Sequence, residues 1–233
     1  MQIDRRLGRV RDWLVTPTCV LCGASTLRAR HFCEGCEDSL PLLDSGCAVC
    51  ATPLPGAAPG TLICGQCQRH PPRYACVHAP FRYAPPIDRL VQGAKYNGRF
   101  DWIDLLGRRL AEHVHARAGE VDAIVPVPLH RSRLRRRGYN QSLELARPLA
   151  KRLRLPLRRG IERIRATSPQ TAISREDRRK NVRDAFAANV EFADLRVAVV
   201  DDVMTSGATV EAVARCLRRA GAITVEVWVV ARA

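Results

Sequence analysis

The chain has 233 residues, 46% of them apolar, enough to form the core of one ordinary α/β domain beside a smaller module. Its net charge of +15 points to a polyanionic partner, and no run of 18 apolar residues is present to span a membrane. The first residues, with Asp4, Arg5, Arg6, Arg9 and Arg11, lack the apolar stretch of a secretory leader, so a cytoplasmic location without membrane insertion is expected.

The charge is unevenly placed. Residues 1–80 carry 8 basic and 6 acidic side chains, whereas residues 129–183 carry 18 and 4. Only 3 of the 38 basic residues are lysine, a bias that codon preference explains, but codon preference does not explain the clustering. A local excess of this size suits a phosphorylated metabolite, a nucleic acid, or both.

Eight of the ten cysteines fall before residue 70 as four CxxC pairs. The first cassette is Cys19-Val-Leu-Cys22 with Cys33-Glu-Gly-Cys36; the second is Cys47-Ala-Val-Cys50 with Cys64-Gly-Gln-Cys67. Each pair makes a tight turn that aims two thiolates at one point, and two turns complete a tetrahedral sulfur shell suited to Zn2+. Four protein ligands leave no open position, so two structural zinc ions are expected. Sequential pairing gives two ribbons, whereas a cross-brace joins Cys19 and Cys22 with Cys47 and Cys50; the short, repeated gaps favour the former. His31 reads as a bystander. Cys76 and Cys216, which lack CxxC partners, read as buried core thiols.

Residues 51–60 are loop by composition, and His70-Pro71-Pro72 is a stiff linker, which places the expected domains at 1–72 and 73–233. Strand and helix signals then alternate. Tyr74 to Tyr83 reads as strand, 86–96 and 99–117 as helices, and Val121 to Val127 as a buried strand. Arg131 to Arg137 is a phosphate-contact patch or a solvated face. Asn140 to Leu153 is a helix interrupted by Pro148, and 166–183 a mobile basic loop. Leu195 to Val200 is an apolar strand, Ala208 to Ala220 a helix, and Ile223 to Val230 a last strand. The alternation predicts an α/β fold, a parallel sheet with helices on both faces.

Val197 to Thr209 reads as strand, two acids, glycine turn and helix start. A strand that empties into a helix N-terminus offers free N–H groups and a positive dipole end to a phosphate. Thr205, Ser206 and Thr209 add hydroxyls, Gly207 and Ala208 allow close approach, and Asp201 and Asp202 are placed to accept from ribose hydroxyls at the carboxyl edge of the sheet. A helix cap alone requires none of the paired acids.

This segment resembles the phosphoribosyl-diphosphate signature of type I phosphoribosyltransferases, with Ser206 where a second threonine is common. The resemblance to one branch, the ComF family (competence protein F and its GntX-like relatives), covers nearly the whole chain. It includes the double zinc ribbon, Tyr83-Ala-Pro-Pro-Ile-Asp-Arg-Leu with Lys95-Tyr96, and Val125-Pro-Val-Pro-Leu with Arg136-Arg-Gly-Tyr-Asn-Gln141. It also includes Gln170-Thr-Ala-Ile-Ser-Arg with Arg178-Arg-Lys-Asn181.

The resemblance implies that phosphoribosyl diphosphate or a nucleoside 5′-monophosphate binds at Asp201 to Thr209, with Mg2+ a candidate companion of the diphosphate. Arg135, Arg136, Arg137, Tyr139, Asn140, Gln141, Arg178 and Lys180 are candidate pyrophosphate or DNA contacts, Tyr139 being the best placed to meet a base. His130 is the histidine to test for catalysis. His113 and His115 read as surface residues, and Trp13, Trp102 and Trp228 as core or interface. Three functions remain open. The family role implies handling of single-stranded DNA during uptake, with a helicase or the uptake machinery as partner. The intact acid-hydroxyl-glycine loop equally suits an active phosphoribosyltransferase on an unknown acceptor, or a regulator that binds the ligand without turnover.

Overall fold

The computed structural model describes residues 17–26, 31–54, 56, 60–165 and 184–233. The segment 166–183, expected to be a loop and holding Arg178 and Lys180, lies outside them, as does Trp13. The chain divides into two compact units, Met1–Leu40 and Pro41–Ala233. Among the described residues no helix is long and apolar enough to cross a membrane.

The first unit holds one cysteine cassette. Thr18 and Ser25 bridge antiparallel around the Cys19–Cys22 turn, where Gly23 takes φ 76°. Helix α1 (Glu34–Asp38) begins directly after Cys33, and Phe32 is buried beside it.

The second unit begins with the other cassette. Helix α2 (Gly65–Arg69) follows Cys64. Tyr74 to Tyr83 is not one strand but two short ones, β1 (Val77–His78) and β2 (Phe81–Arg82). Helices α3 (Ile87–Tyr96) and α4 (Phe100–Val114) come next, and the expected continuation of α4 tightens into a 3-10 turn at His115–Glu120. Strand β3 (Ala123–Pro126) leads to α5 (Arg131–Arg137), so the arginine run is helical. Helix α6 (Gln141–Leu153) runs through Pro148 instead of stopping there. Its room comes from Gly107 of α4, where an added Cβ would lie 2.7 Å from the Pro148 ring.

Strands β4 (Ile161–Arg163) and β5 (Phe186–Ala188) form an antiparallel pair that the sequence did not announce. Strand β6 (Arg196–Met204), helix α7 (Ala208–Arg219) and strand β7 (Thr224–Arg232) complete the chain.

The main sheet is parallel throughout, with β7 central between β6 and the short pair β1 and β2, and with β3 beyond β6. Continuous valine and alanine runs in β6 and β7 are buried on both sides, as a covered parallel sheet requires. Helix α7 packs over Val197, Val199, Val225 and Val227, in a core that also takes in Cys47, Cys50 and Cys67. The second cassette therefore shares the core of the sheet. Helices α4 and α6 pack on one another and against β7 and β6.

Candidate functional site

The eight paired cysteines gather as two groups, Cys19, Cys22, Cys33 and Cys36, and Cys47, Cys50, Cys64 and Cys67, with the sulfurs of each group within 4.8 Å of one another. Pairing is sequential; the cross-brace is not formed. The Cys22 and Cys33 sulfurs lie 3.6 Å apart and those of Cys50 and Cys64 3.7 Å. A tetrahedron with Zn–S of about 2.3 Å has edges of about 3.8 Å, so both groups fit structural zinc. Burial raises the Cys19 and Cys47 thiols, but backbone N–H groups aimed at the sulfurs outweigh it and pull both down to about 6. His31 is in neither group. Cys76 and Cys216, expected in the core, are only half-buried, Cys216 packing against the edge of the core cluster.

A cleft of about 260 Å³ opens at the carboxyl ends of β3 and β6. Asp201, Asp202, Thr205, Thr209 and Gln141 line it. The acids do not follow the strand, as predicted, but lie within it: β6 keeps its ladder with β7 as far as Met204 opposite Arg232. The turn Thr205-Ser206-Gly207 then delivers α7. Gly207 caps that helix at φ 76°, and an added Cβ would fall 2.7 Å from Met204 Cε. Ser206 Oγ accepts from the Ala208 N–H at 3.5 Å.

The two acids meet different partners. Lys95 Nζ lies 2.7 Å from Asp202 Oδ2. Burial lowers Lys95, yet the Asp202 charge and hydrogen bond, with the Asp201 charge, together outweigh it and hold the ammonium above its ordinary value. Ser142 Oγ donates to Asp201 Oδ1 at 2.7 Å. Burial and the Asp202 charge nonetheless push Asp201 up to about 7. Arg133 and Arg163 line the same cleft. Burial, then the Arg136 and Arg137 charges, lower Arg133; burial, then the Arg133 charge, lower Arg163. An anion placed here relieves that like-charge crowding.

Sequence reasoning missed Lys95, Arg133, Ser142 and Arg163 as cleft residues, because each arrives from a different element. Lys95 stood in the family motif, and Arg133 in the arginine run; for Ser142 and Arg163 there was no local signal.

Other candidates serve the walls. Asn140 caps α6 through Ser142 N–H and donates from Nδ2 to the Val127 carbonyl at 3.0 Å. Tyr139 Oη donates to the Ala94 carbonyl, and Arg137 donates to Gln141. His130 caps α5, accepting from the Ser132 N–H at 3.2 Å. Arg135 and Arg136 are exposed on α5 and do not line the cleft. The exposed aromatics nearby are Tyr96 (73%) and Phe100 (53%). The Arg137 guanidinium lies 5.3 Å from the Tyr96 ring and Phe100 packs 5.0 Å from Tyr139. Trp228 is fully buried and Trp102 partly so, His113 and His115 exposed, as expected.

The second cassette reaches the turn after β6 through Arg232, which is buried. Its guanidinium donates to the Cys50 carbonyl at 2.9 Å, Thr52 Oγ1 at 2.6 Å, the Met204 carbonyl at 3.0 Å and the Thr205 carbonyl at 2.6 Å.

Residues 10–68 match the family described as Double zinc ribbon domain, and residues 105–233 that described as Phosphoribosyl transferase domain. Competence protein F of Haemophilus influenzae is 34% identical over 227 residues, covering 92% of this chain and 96% of that protein. DNA utilization protein YhgH of Salmonella typhimurium is 36% identical over 222 residues, with the same two shares. Amidophosphoribosyltransferase of Escherichia coli K12 is 28% identical over 165 residues, 70% of this chain and 30% of that protein.

Proposed function

The chain belongs to the ComF family, that of competence protein F, with a double zinc ribbon and a phosphoribosyltransferase domain, and from this we propose that it serves DNA uptake or processing by holding single-stranded DNA beside a bound ribose 5-phosphate group. The observation that carries the reading is the juxtaposition at the cleft mouth. Inside are Asp201 and Asp202 for ribose hydroxyls and the Thr205–Thr209 turn for phosphate; outside are the arginines of α5 with Tyr96 and Phe100 exposed. Arginine charge tracks a backbone, and open aromatic rings stack bases without regard to sequence. The ligand in the cleft is phosphoribosyl diphosphate, with its Mg2+, or a nucleoside 5′-monophosphate. A helicase or another part of the uptake machinery supplies the strand.

Each phosphate neutralised on a single strand contributes about −0.7 to the slope of log affinity against log salt, so four to six contacts give roughly −3 to −4. Arg135, Arg136 and Arg137 replaced together by Ala should flatten that slope, while Tyr96→Ala and Phe100→Ala should each weaken binding by about 1–3 kcal/mol. Asp202→Asn should weaken nucleotide binding and leave the slope alone. DNA affinity without a salt slope, or one indifferent to the triple change, would remove the nucleic-acid role.

Arg133 and Arg163 favour a second reading, phosphoribosyl transfer. As the C1–O bond breaks and the acceptor bonds to C1, the diphosphate leaves with charge that two guanidiniums are placed to stabilise. Release of pyrophosphate with pooled acceptors, lost in Arg163→Ala, is the expected outcome for an enzyme; tight ligand binding without release identifies a regulator.

A further inference from the structure

Cys76 and His78 alternate along the entry to β1 and therefore point to one side of the sheet. Strand β1 pairs in parallel with β7, Val77 opposite Val227, which sets Cys76 beside Glu226. The three side chains converge. Cys76 Sγ lies 3.3 Å from His78 Nε2, and the same nitrogen lies 3.4 Å from Glu226 Oε2. All three donor atoms fall within 4.8 Å of one another.

One ring nitrogen carries at most one hydrogen, so it cannot serve both a sulfur and a carboxylate oxygen with well-aligned bonds. A cation between the three atoms satisfies all of them. Tetrahedral Zn2+, with Zn–S about 2.3 Å and Zn–N and Zn–O about 2.0–2.2 Å, sets its ligands about 3.3–3.6 Å apart. The Nε2–Oε2 separation of 3.4 Å matches, and the Sγ–Nε2 separation of 3.3 Å lies within about 0.3 Å of the tetrahedral value. The carboxylate is also fixed from behind: Arg117 donates to Oε1 at 3.2 Å and Trp228 Nε1 to Oε2 at 3.1 Å, the outer hydrogen bonding that orients metal ligands. Glu226 is 6% exposed, so this is not a solvated acid on the surface. A nucleophilic reading fails on geometry, since sulfur and carboxylate meet the same nitrogen and no Cys–His–Glu relay exists.

We propose that Cys76, His78 and Glu226 form a third metal site, for one Zn2+, with the fourth position open to water. A sulfur, nitrogen and oxygen set suits this borderline ion, and three protein ligands leave the vacancy that closed ribbons lack. On binding, the Cys76 thiol releases its proton to solvent and the thiolate bonds to the metal. The site shares no residue with the cleft and stands independently of the function proposed there.

The test uses the full chain, its ribbons filled anaerobically with two equivalents of Zn2+, then titrated with Co2+ while zinc release is followed. A third equivalent should bind and show visible d–d absorption with a thiolate-to-cobalt band. Cys76→Ser, His78→Ala and Glu226→Gln should each weaken it at least tenfold while the two ribbon zinc ions remain. Loss in any variant that keeps both ribbon ions supports the site. Absence of a third equivalent in the parent chain, or its retention in every variant that keeps both, overturns it.

Discussion

Asp201 and Asp202 are neighbours on one strand, yet a lysine holds one and a serine hydroxyl the other. For Asp201, burial and the adjacent charge raise the carboxyl from 3.8 to about 7 in the folded chain. The native state therefore binds a proton that the unfolded chain has already released. The stability this gives is full below about pH 4 and is lost as pH climbs through about 7. The loss is roughly 2–4 kcal/mol, taking 1.36 kcal/mol per unit and allowing for relief by Lys95. Chemical denaturation at pH 5 and pH 8 should show this decline in the parent chain, and Asp201→Asn should flatten it. Gly207 makes a second case at this scale. Its φ of 76° and the 2.7 Å approach to Met204 both oppose a side chain. Gly207→Ala should cost about 1–2 kcal/mol from backbone conformation alone, and nucleotide affinity measured by calorimetry should fall with it.

Among the elements, α4 and α6 depend on an unusual contact. Pro148 deprives α6 of one backbone hydrogen bond, and its ring needs space that only a glycine opposite it leaves. Gly107→Ala would set a Cβ 2.7 Å from the ring and 3.1 Å from the Leu145 carbonyl. A loss of about 1–3 kcal/mol is expected, read as a lower melting temperature with zinc content unchanged. Helix α5 is the opposite kind of element. It buries no residue and concentrates like charge, so its own energetics are poor. The cap from His130 and the left-handed Gly138 (φ 85°) close its two ends. A helix assembled on these terms gives the core little support, and it is the function proposed above that accounts for its charge.

At the scale of the molecule, the second zinc cassette and the Thr205–Gly207 turn are one construction. Arg232 grips carbonyls on both, and the cassette's cysteines share the core beneath α7. Structural zinc contributes about 10–16 kcal/mol of apparent free energy in small modules, more than so little core could replace. Cys47→Ser with Cys50→Ser should therefore remove one zinc ion and weaken nucleotide binding at Thr205 to Thr209. Cys19→Ser with Cys22→Ser should remove one ion from the separate unit Met1–Leu40 and leave that binding unchanged. Elemental analysis paired with calorimetry checks both; equal loss of binding from the two cassettes would refute the coupling.

The parts legible in the sequence were those whose physics is local. Four CxxC turns announce sulfur shells, because the two ligands of each pair lie three residues apart. Apolar runs announce a covered parallel sheet, and a strand ending in acids, hydroxyls and glycine before a helix announces a strand-turn-helix junction. Element ends were less legible: β6 continues to Met204 because β7 lies alongside it, and α6 passes Pro148 because Gly107 yields to it. The rest of the cleft was decided only in three dimensions. Lys95, Arg133, Ser142 and Arg163 come from four separate stretches of chain, and nothing along the sequence encodes their meeting. The same holds for Cys76 with Glu226, residues 150 apart in the chain that pairing of β1 with β7 makes neighbours. Local chemistry is written in spacing; a site whose groups lie far apart in the chain exists only once the sheet has set its register.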